Sequence, residues 1–166
     1  MSRREFRVAV SKDTLTFSSA HFITYAGHRC EGLHGHNYRA RATVEGALDS
    51  TDHLVFDFIE IKRVMERLCG EIDHLVLLPT KSARIQVNEN AETVRVSVDG
   101  KPRYVFPRRD CALLPIPNTT AEMLAEWLAL RLREALRGGG ATGLTAIELE
   151  VEETAGQSAV CRLQVE

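Results

Sequence analysis

The sequence predicts an α+β fold in which two helices cover one face of an antiparallel sheet, and three observations predict it. Residues 36–46, HNYRARATVEG, alternate cleanly, with Tyr38, Ala40, Ala42 and Val44 on one face and Arg39, Arg41, Thr43 and Glu45 on the other. That pattern suits an antiparallel strand with one buried face. Two segments instead carry apolar residues at helical spacing. Strand-like segments sit at both ends of the chain with the helices between them, and this order gives an α+β fold.

The elements follow in order. Segments 5–11 and 13–22 (TLTFSSAHFI) are rich in β-branched and aromatic residues and read as extended. A polar, glycine-containing stretch, 25–35, separates them from the alternating strand. Asp57 is placed to cap a helix over about 58–72, whose apolar stripe is Ile61, Val64, Met65, Leu68 and Ile72. For the second helix, Thr119 and Glu122 form the Thr-x-x-Glu pattern of a capping box. Leu124, Trp127, Leu128, Leu132 and Leu136 give its buried stripe, and Gly138-Gly139-Gly140 ends it. Strands at about 144–154 and 158–165 flank the turn at Ala155-Gly156-Gln157-Ser158. Between the helices, residues 81–114 hold three short strand-like runs, with Asp99-Gly100 as a tight turn between the last two. The region reads as a β-hairpin inserted between the helices, and the whole chain, 1–166, as one domain carrying that insertion.

Bulk properties narrow the function. The 166 residues are 44% apolar and 27% charged, ordinary for a globular domain with one core. Twenty-one basic and 23 acidic side chains leave a net charge of −2, which gives no support for a nucleic-acid groove. The pairs Arg3-Arg4 and Arg108-Arg109 are too short to be binding tracts. The start, MSRREFRVAV, lacks the apolar core of a signal peptide and no run approaches a membrane span, so cytoplasm is the expected location. Cys30, Cys69, Cys111 and Cys161 are scattered without a CxxC pair and are expected as thiols. Cys69 and Cys161 fall in apolar patterns that suit core residues.

Three histidines are spaced as metal ligands would be. His34 and His36 flank Gly35 where the chain enters an extended strand, so both imidazoles point to one side. His21 ends the preceding strand, and a return of the chain over 23–35 would bring it beside them. Three neutral imidazoles leave a tetrahedral zinc one open position, the arrangement of a catalytic site. Read alone, the spacing leaves both a metal triad and ordinary core or surface histidines open. His28 and His53, in polar loop-like stretches, read as solvent-exposed.

The surroundings of these histidines add a resemblance. FSSAHFITYAGHRCEGLHGHNYRARATVEG resembles the metal-site signature of the 6-pyruvoyltetrahydropterin synthase and 6-carboxytetrahydropterin synthase family. Val55-Phe56-Asp57-Phe58, Asp73-His74, Asn118-Thr119-Thr120-Ala121-Glu122 and Glu153-Thr154 resemble further family motifs in the right order. Together they cover roughly 12–78 and 116–165.

The resemblance implies a tunnelling fold: a four-stranded antiparallel sheet with two helices, joined edge to edge into rings and commonly a homo-oligomer, a hexamer. It implies Zn2+ on His21, His34 and His36 and a small-molecule dihydropterin substrate, usually 7,8-dihydroneopterin triphosphate, in a site between subunits. Cys30 would be the proton-transferring base, Asp73 would orient His74, and Glu153 would hold the pterin, with Thr119 or Thr120 adding a contact. Cys30-x3-His-Gly-His resembles the 6-carboxytetrahydropterin synthase branch, in the queuosine pathway. Glu31-x2-His-Gly-His resembles a folate-type branch that cleaves the side chain by retro-aldol chemistry to 6-hydroxymethyl-dihydropterin. The inserted hairpin departs from both. Two other readings compete: a non-catalytic zinc- or pterin-binding homologue, and a plain structural oligomer without metal.

Overall fold

A computed structural model describes residues 5–165, so the Arg3-Arg4 pair lies outside the described residues. The chain opens with β1 (Phe6–His21), the short strands β2 (Thr24–Tyr25) and β3 (Arg29–Cys30), then β4 (His34–Gly46) and α1 (Phe58–Gly70). Next come β5 (Val76–Pro79), β6 (Ile85–Glu89), β7 (Thr93–Val98), β8 (Lys101–Pro107) and β9 (Cys111–Leu114). Helix α2 (Ala121–Gly138) and strands β10 (Leu144–Thr154) and β11 (Gln157–Gln164) complete it. No helix among the described residues is long and apolar enough to cross a membrane.

The α+β class holds, but the main sheet is larger than the expected four antiparallel strands. Its order is β11-β10-β4-β1-β5-β9, and β5 and β9 join in parallel. These two added strands are four-residue runs, VLLP and CALL, too short to show alternation. The insertion also differs from a hairpin. Strands β6, β7 and β8 form a three-stranded antiparallel meander. Its last turn is at Asp99-Gly100, where both residues have positive φ, 50° and 77°, as a tight hairpin turn requires.

The two segments read as separate strands at the start of the chain are one strand, β1, interrupted by a bulge between Ser11 and Thr16 in its pairing with β4. The bulge changes the parity of the strand. Val10 faces the core before it, and Leu15, Phe17, Ser19 and His21 face the core after it. Both helices lie on this buried face. Leu68, Leu124, Leu128 and Leu132 have no exposed surface and pack against Tyr38, Ala42 and Val44 of β4 and Leu149 and Val151 of β10. Each such leucine contributes about 1.5–3 kcal/mol relative to an exposed one.

Asp57 caps α1 as expected, its carboxylate accepting from the Ile59 N–H at 2.8 Å. The cap of α2 is one residue later than expected. Thr120, not Thr119, is the capping residue and accepts from the Met123 N–H. The reason is tertiary: Thr119 is fully buried, and its hydroxyl donates to the Phe22 carbonyl at 3.1 Å. That contact ties the start of α2 to the end of β1, where His21 sits.

Candidate active site

The three histidines converge. His21 and His34 face each other across the end of the β1–β4 ladder, and Ser19 pairs with His36. One ring nitrogen from each of His21, His34 and His36 lies within 4.8 Å of the others, a group that could hold a metal ion. Gly35 makes the close approach possible, because a Cβ there would stand 3.3 Å from the Ser19 carbonyl. Two main-chain carbonyls orient the rings. Thr119 O lies 2.8 Å from His21 Nδ1, and Gly32 O lies 2.9 Å from His34 Nδ1. A carbonyl only accepts, so in the neutral form of each ring Nδ1 carries the proton and the Nε2 lone pair is free for a cation.

His21 tests whether a metal fits. It is 1% exposed, and its Nε2 is buried without a hydrogen-bond partner. The nearest charged atom, Glu153 Oε1 at 3.3 Å, is itself an acceptor. A lone pair and a carboxylate facing each other in a buried site call for a cation between or beside them. Burial also holds the His21 imidazole below its ordinary pKa, only partly opposed by the Thr119 carbonyl and Glu153, so the ring is neutral as a ligand must be. The donor set of three imidazoles fits zinc.

Glu153, at the end of β10, reaches the same point. Its Oε1 lies 3.7 Å from His36 Nε2 and accepts from the Tyr38 hydroxyl at 3.4 Å. Tyr38 is fully buried, stacked on Phe17 and edge-on to His21 and His36. Burial, reinforced by Glu153, pushes its phenol well above the ordinary value, so it stays a hydrogen donor. Sequence reasoning placed Tyr38 only on the core face of its strand. Its parity with His34 and His36 was the signal that it belongs to the site.

The remaining candidates divide between two sides. Glu31 Oε2 lies 3.7 Å from His34 Nε2. Cys30, one residue earlier, lines a cleft of about 430 Å³ with His28, Arg84, Asp99, Lys101 and Arg103. Asp73 and His74 are held against β1 by both main-chain groups of Ser18: its N–H donates to Asp73 Oδ1, and its carbonyl accepts from the His74 N–H, each at 2.7 Å. The Ser18 amide and His74 together keep the Asp73 carboxyl below its usual range. Asp73 Oδ2 is 2.8 Å from His74 Nδ1, leaving His74 Nε2 outward on a side chain 81% exposed. His74 also adopts a positive φ of 59°, a costly conformation for a non-glycine residue. It lines a second cleft, of about 520 Å³, with Ser18, His36 and Asn37. Within one chain, Cys30 and His74 therefore line different clefts. Thr120 is the helix cap and Thr119 the carbonyl behind His21. His28 and His53 are exposed, as expected.

Comparison with known proteins shows what the chain is similar to as a whole. The family model described as 6-pyruvoyl tetrahydropterin synthase matches residues 9–164. A protein of Methanocaldococcus jannaschii, described as a 6-carboxy-5,6,7,8-tetrahydropterin synthase, is 34% identical over 152 residues, 92% of each chain. The crystal structure of 6-pyruvoyl tetrahydropterin synthase from Plasmodium vivax superposes with a TM-score of 0.90 at 25% identity, covering 98% of this chain and 100% of that one. A variant of that enzyme, in which a catalytic glutamate is replaced by alanine, superposes with a TM-score of 0.89 over the same shares.

Proposed function

The chain belongs to the 6-pyruvoyl tetrahydropterin synthase family, whose chemistry is of the lyase type, and on that premise we propose a zinc-dependent lyase acting on 7,8-dihydroneopterin triphosphate, of the 6-carboxytetrahydropterin synthase kind. The observation that carries the reading is the convergence of His21, His34 and His36 around the unpartnered, buried Nε2 of His21, with Glu153 beside them.

His21, His34 and His36 would hold zinc, which when bound would supply Lewis-acid polarisation of the oxygens on the substrate side chain. The protein groups do the rest. Glu153 receives the pterin through paired N–H donors, a match for a carboxylate, and the Tyr38 hydroxyl fixes its orientation. A base in the 30–31 loop takes a proton from the side-chain carbon. Asp73 fixes the tautomer of His74 by accepting from Nδ1, so His74 Nε2 is the atom that returns a proton. Incubation with 7,8-dihydroneopterin triphosphate and identification of the product by mass tests the reading. The expected product is 6-carboxytetrahydropterin. Unchanged substrate with zinc fully bound would assign the chain to the non-catalytic, pterin-binding class instead.

A second reading has its own observation. Glu31, not Cys30, is the acid–base side chain beside His34, and in the Plasmodium vivax enzyme a glutamate is a catalytic residue. This favours retro-aldol cleavage of a dihydroneopterin to 6-hydroxymethyl-dihydropterin, alone or beside the first reaction.

The separation of Cys30 from His74 within one chain supports an assembly in which neighbouring subunits complete the site. The edges β11 and β9 offer unpaired strand backbone for such joining. Sedimentation velocity at micromolar concentration is expected to show a closed oligomer, a hexamer. A monodisperse monomer would reject both the assembly and the shared site.

A further inference from the structure

The inserted meander meets the loop that carries Cys30 and Glu31 at three main-chain points. Arg84 Nη1 donates to the Arg29 carbonyl at 3.0 Å, and Arg103 Nη2 donates to the Glu31 carbonyl at 2.7 Å. The Leu33 N–H donates to the Tyr104 hydroxyl at 3.2 Å. These side chains are themselves held. Arg84 makes two bonds to Asp99 at the hairpin turn, at 2.9 and 2.7 Å. The Tyr104 ring packs between Phe22 and Phe106, at 5.2 and 5.4 Å between centroids, and the Arg103 guanidinium lies over it.

Beneath the loop, Phe22 and Cys30 pack against Ile85, Val94 and Val96, in a second core that the insertion shares with Phe22 and with Leu78 of β5. Apart from these contacts, the main-chain support includes a two-residue ladder, Thr24 to Cys30 and Tyr25 to Arg29, the bond from Glu31 N–H to the Ile23 carbonyl, and the Asn118 side chain, which holds both main-chain groups of Thr24 on the far strand. A ladder that short does not hold a fixed geometry in water.

We propose that the 81–114 insertion is a brace for this loop, and that Arg84, Arg103 and Tyr104 are positioning residues that clamp it at 29, 31 and 33 and so set where Glu31 and Cys30 stand relative to His34. The effect on turnover rests on the function proposed above, whereas the clamp itself does not. Misplacing a reacting group by about 1 Å can cost about 10²-fold in rate, so removing the clamp acts on kcat, while Glu153, His21 and His36 lie outside the clamped loop, whose Gly32 carbonyl also orients His34.

The test compares the intact protein with Tyr104→Phe, Arg103→Gln, the double variant, and a control, Arg95→Ala, on the exposed face of β7. Amide hydrogen exchange of residues 31–34 is expected to rise roughly tenfold in the double variant. Its kcat, measured with saturating zinc because the clamped loop also carries the Gly32 carbonyl on His34, is expected to fall about 10–100-fold, with KM and the control unchanged. Tyr104→Phe alone, which removes a single hydroxyl, is expected to give a smaller change in the same direction. Unchanged exchange in the double variant would overturn the clamp. Faster exchange with kcat intact, or a lower melting temperature alone, would leave a merely structural role and overturn the positioning. If the wild-type chain converts no pterin, the functional reading fails on its own, and the exchange measurement still decides whether the brace exists.

Discussion

Replacing His34 or His36 with alanine is expected to empty the metal site and abolish turnover, the largest loss any single substitution in this chain should cause. A triad with ring nitrogens within 4.8 Å of one another has no spare ligand. Glu153 and Glu31 are close, but both are partly exposed carboxylates with other work, and neither restores a third imidazole. Zinc measured by mass spectrometry on purified protein should fall from about one per chain to a small fraction of that. The wild-type fold should persist in both variants, because His34 is exposed and His36 only half-buried. His21→Ala is a poorer test: His21 is buried and tied to Thr119, so its loss also opens the seam between β1 and α2. Disturbing only an orienting partner of a ligand is expected to weaken metal binding by about 10–100-fold, well short of the effect of removing a ligand. Full zinc occupancy in a His34→Ala/His36→Ala double variant would reject the triad.

How much of this was legible in advance depended on whether a feature is local. The alternation that placed His34, His36 and Tyr38 on one face is a property of the strand itself, so it could be read directly. The Asp57 cap was readable for the same reason. The cap of α2 was not, because Thr119 and Thr120 are equally good caps locally. The choice is made by a contact with Phe22, 97 residues away. Strands β5 and β9 escaped because a four-residue apolar run has no period to detect. Their place in the sheet comes from pairing with each other and with the end of β1. Within the insertion, the Asp99-Gly100 turn was visible in its residues. The contacts of Arg84, Arg103 and Tyr104 with loop 29–33 span 55 to 72 positions and have no sequence signature. The orientation of the site is thus local, and its bracing is tertiary.

That bracing bears on the second large effect, the division of labour between Cys30 and Glu31. Cys30→Ala is expected to lose the 6-carboxytetrahydropterin-forming reaction by the roughly 10²–10⁴-fold typical of a general base, with zinc retained because the thiol lies outside the imidazole triad. Glu31→Ala is expected to remove 6-hydroxymethyl-dihydropterin formation and largely spare the other product. The two side chains are adjacent in sequence but face different surroundings: Glu31 approaches His34 Nε2 at 3.7 Å, and Cys30 lines the cleft with Arg84, Lys101 and Arg103. On the proposed reading, a proton taken on one side of the loop need not be reachable from the other, and each side serves one of the two reactions. The measurement is a product profile by mass for wild type and both single variants, on 7,8-dihydroneopterin and on its triphosphate. If Glu31→Ala leaves every product unchanged, Glu31 is a solvated loop carboxylate and the retro-aldol reading fails. If Cys30→Ala leaves the triphosphate reaction intact while Glu31→Ala abolishes it, the carboxylate beside His34 is the base for both, and the thiol belongs to the brace alone.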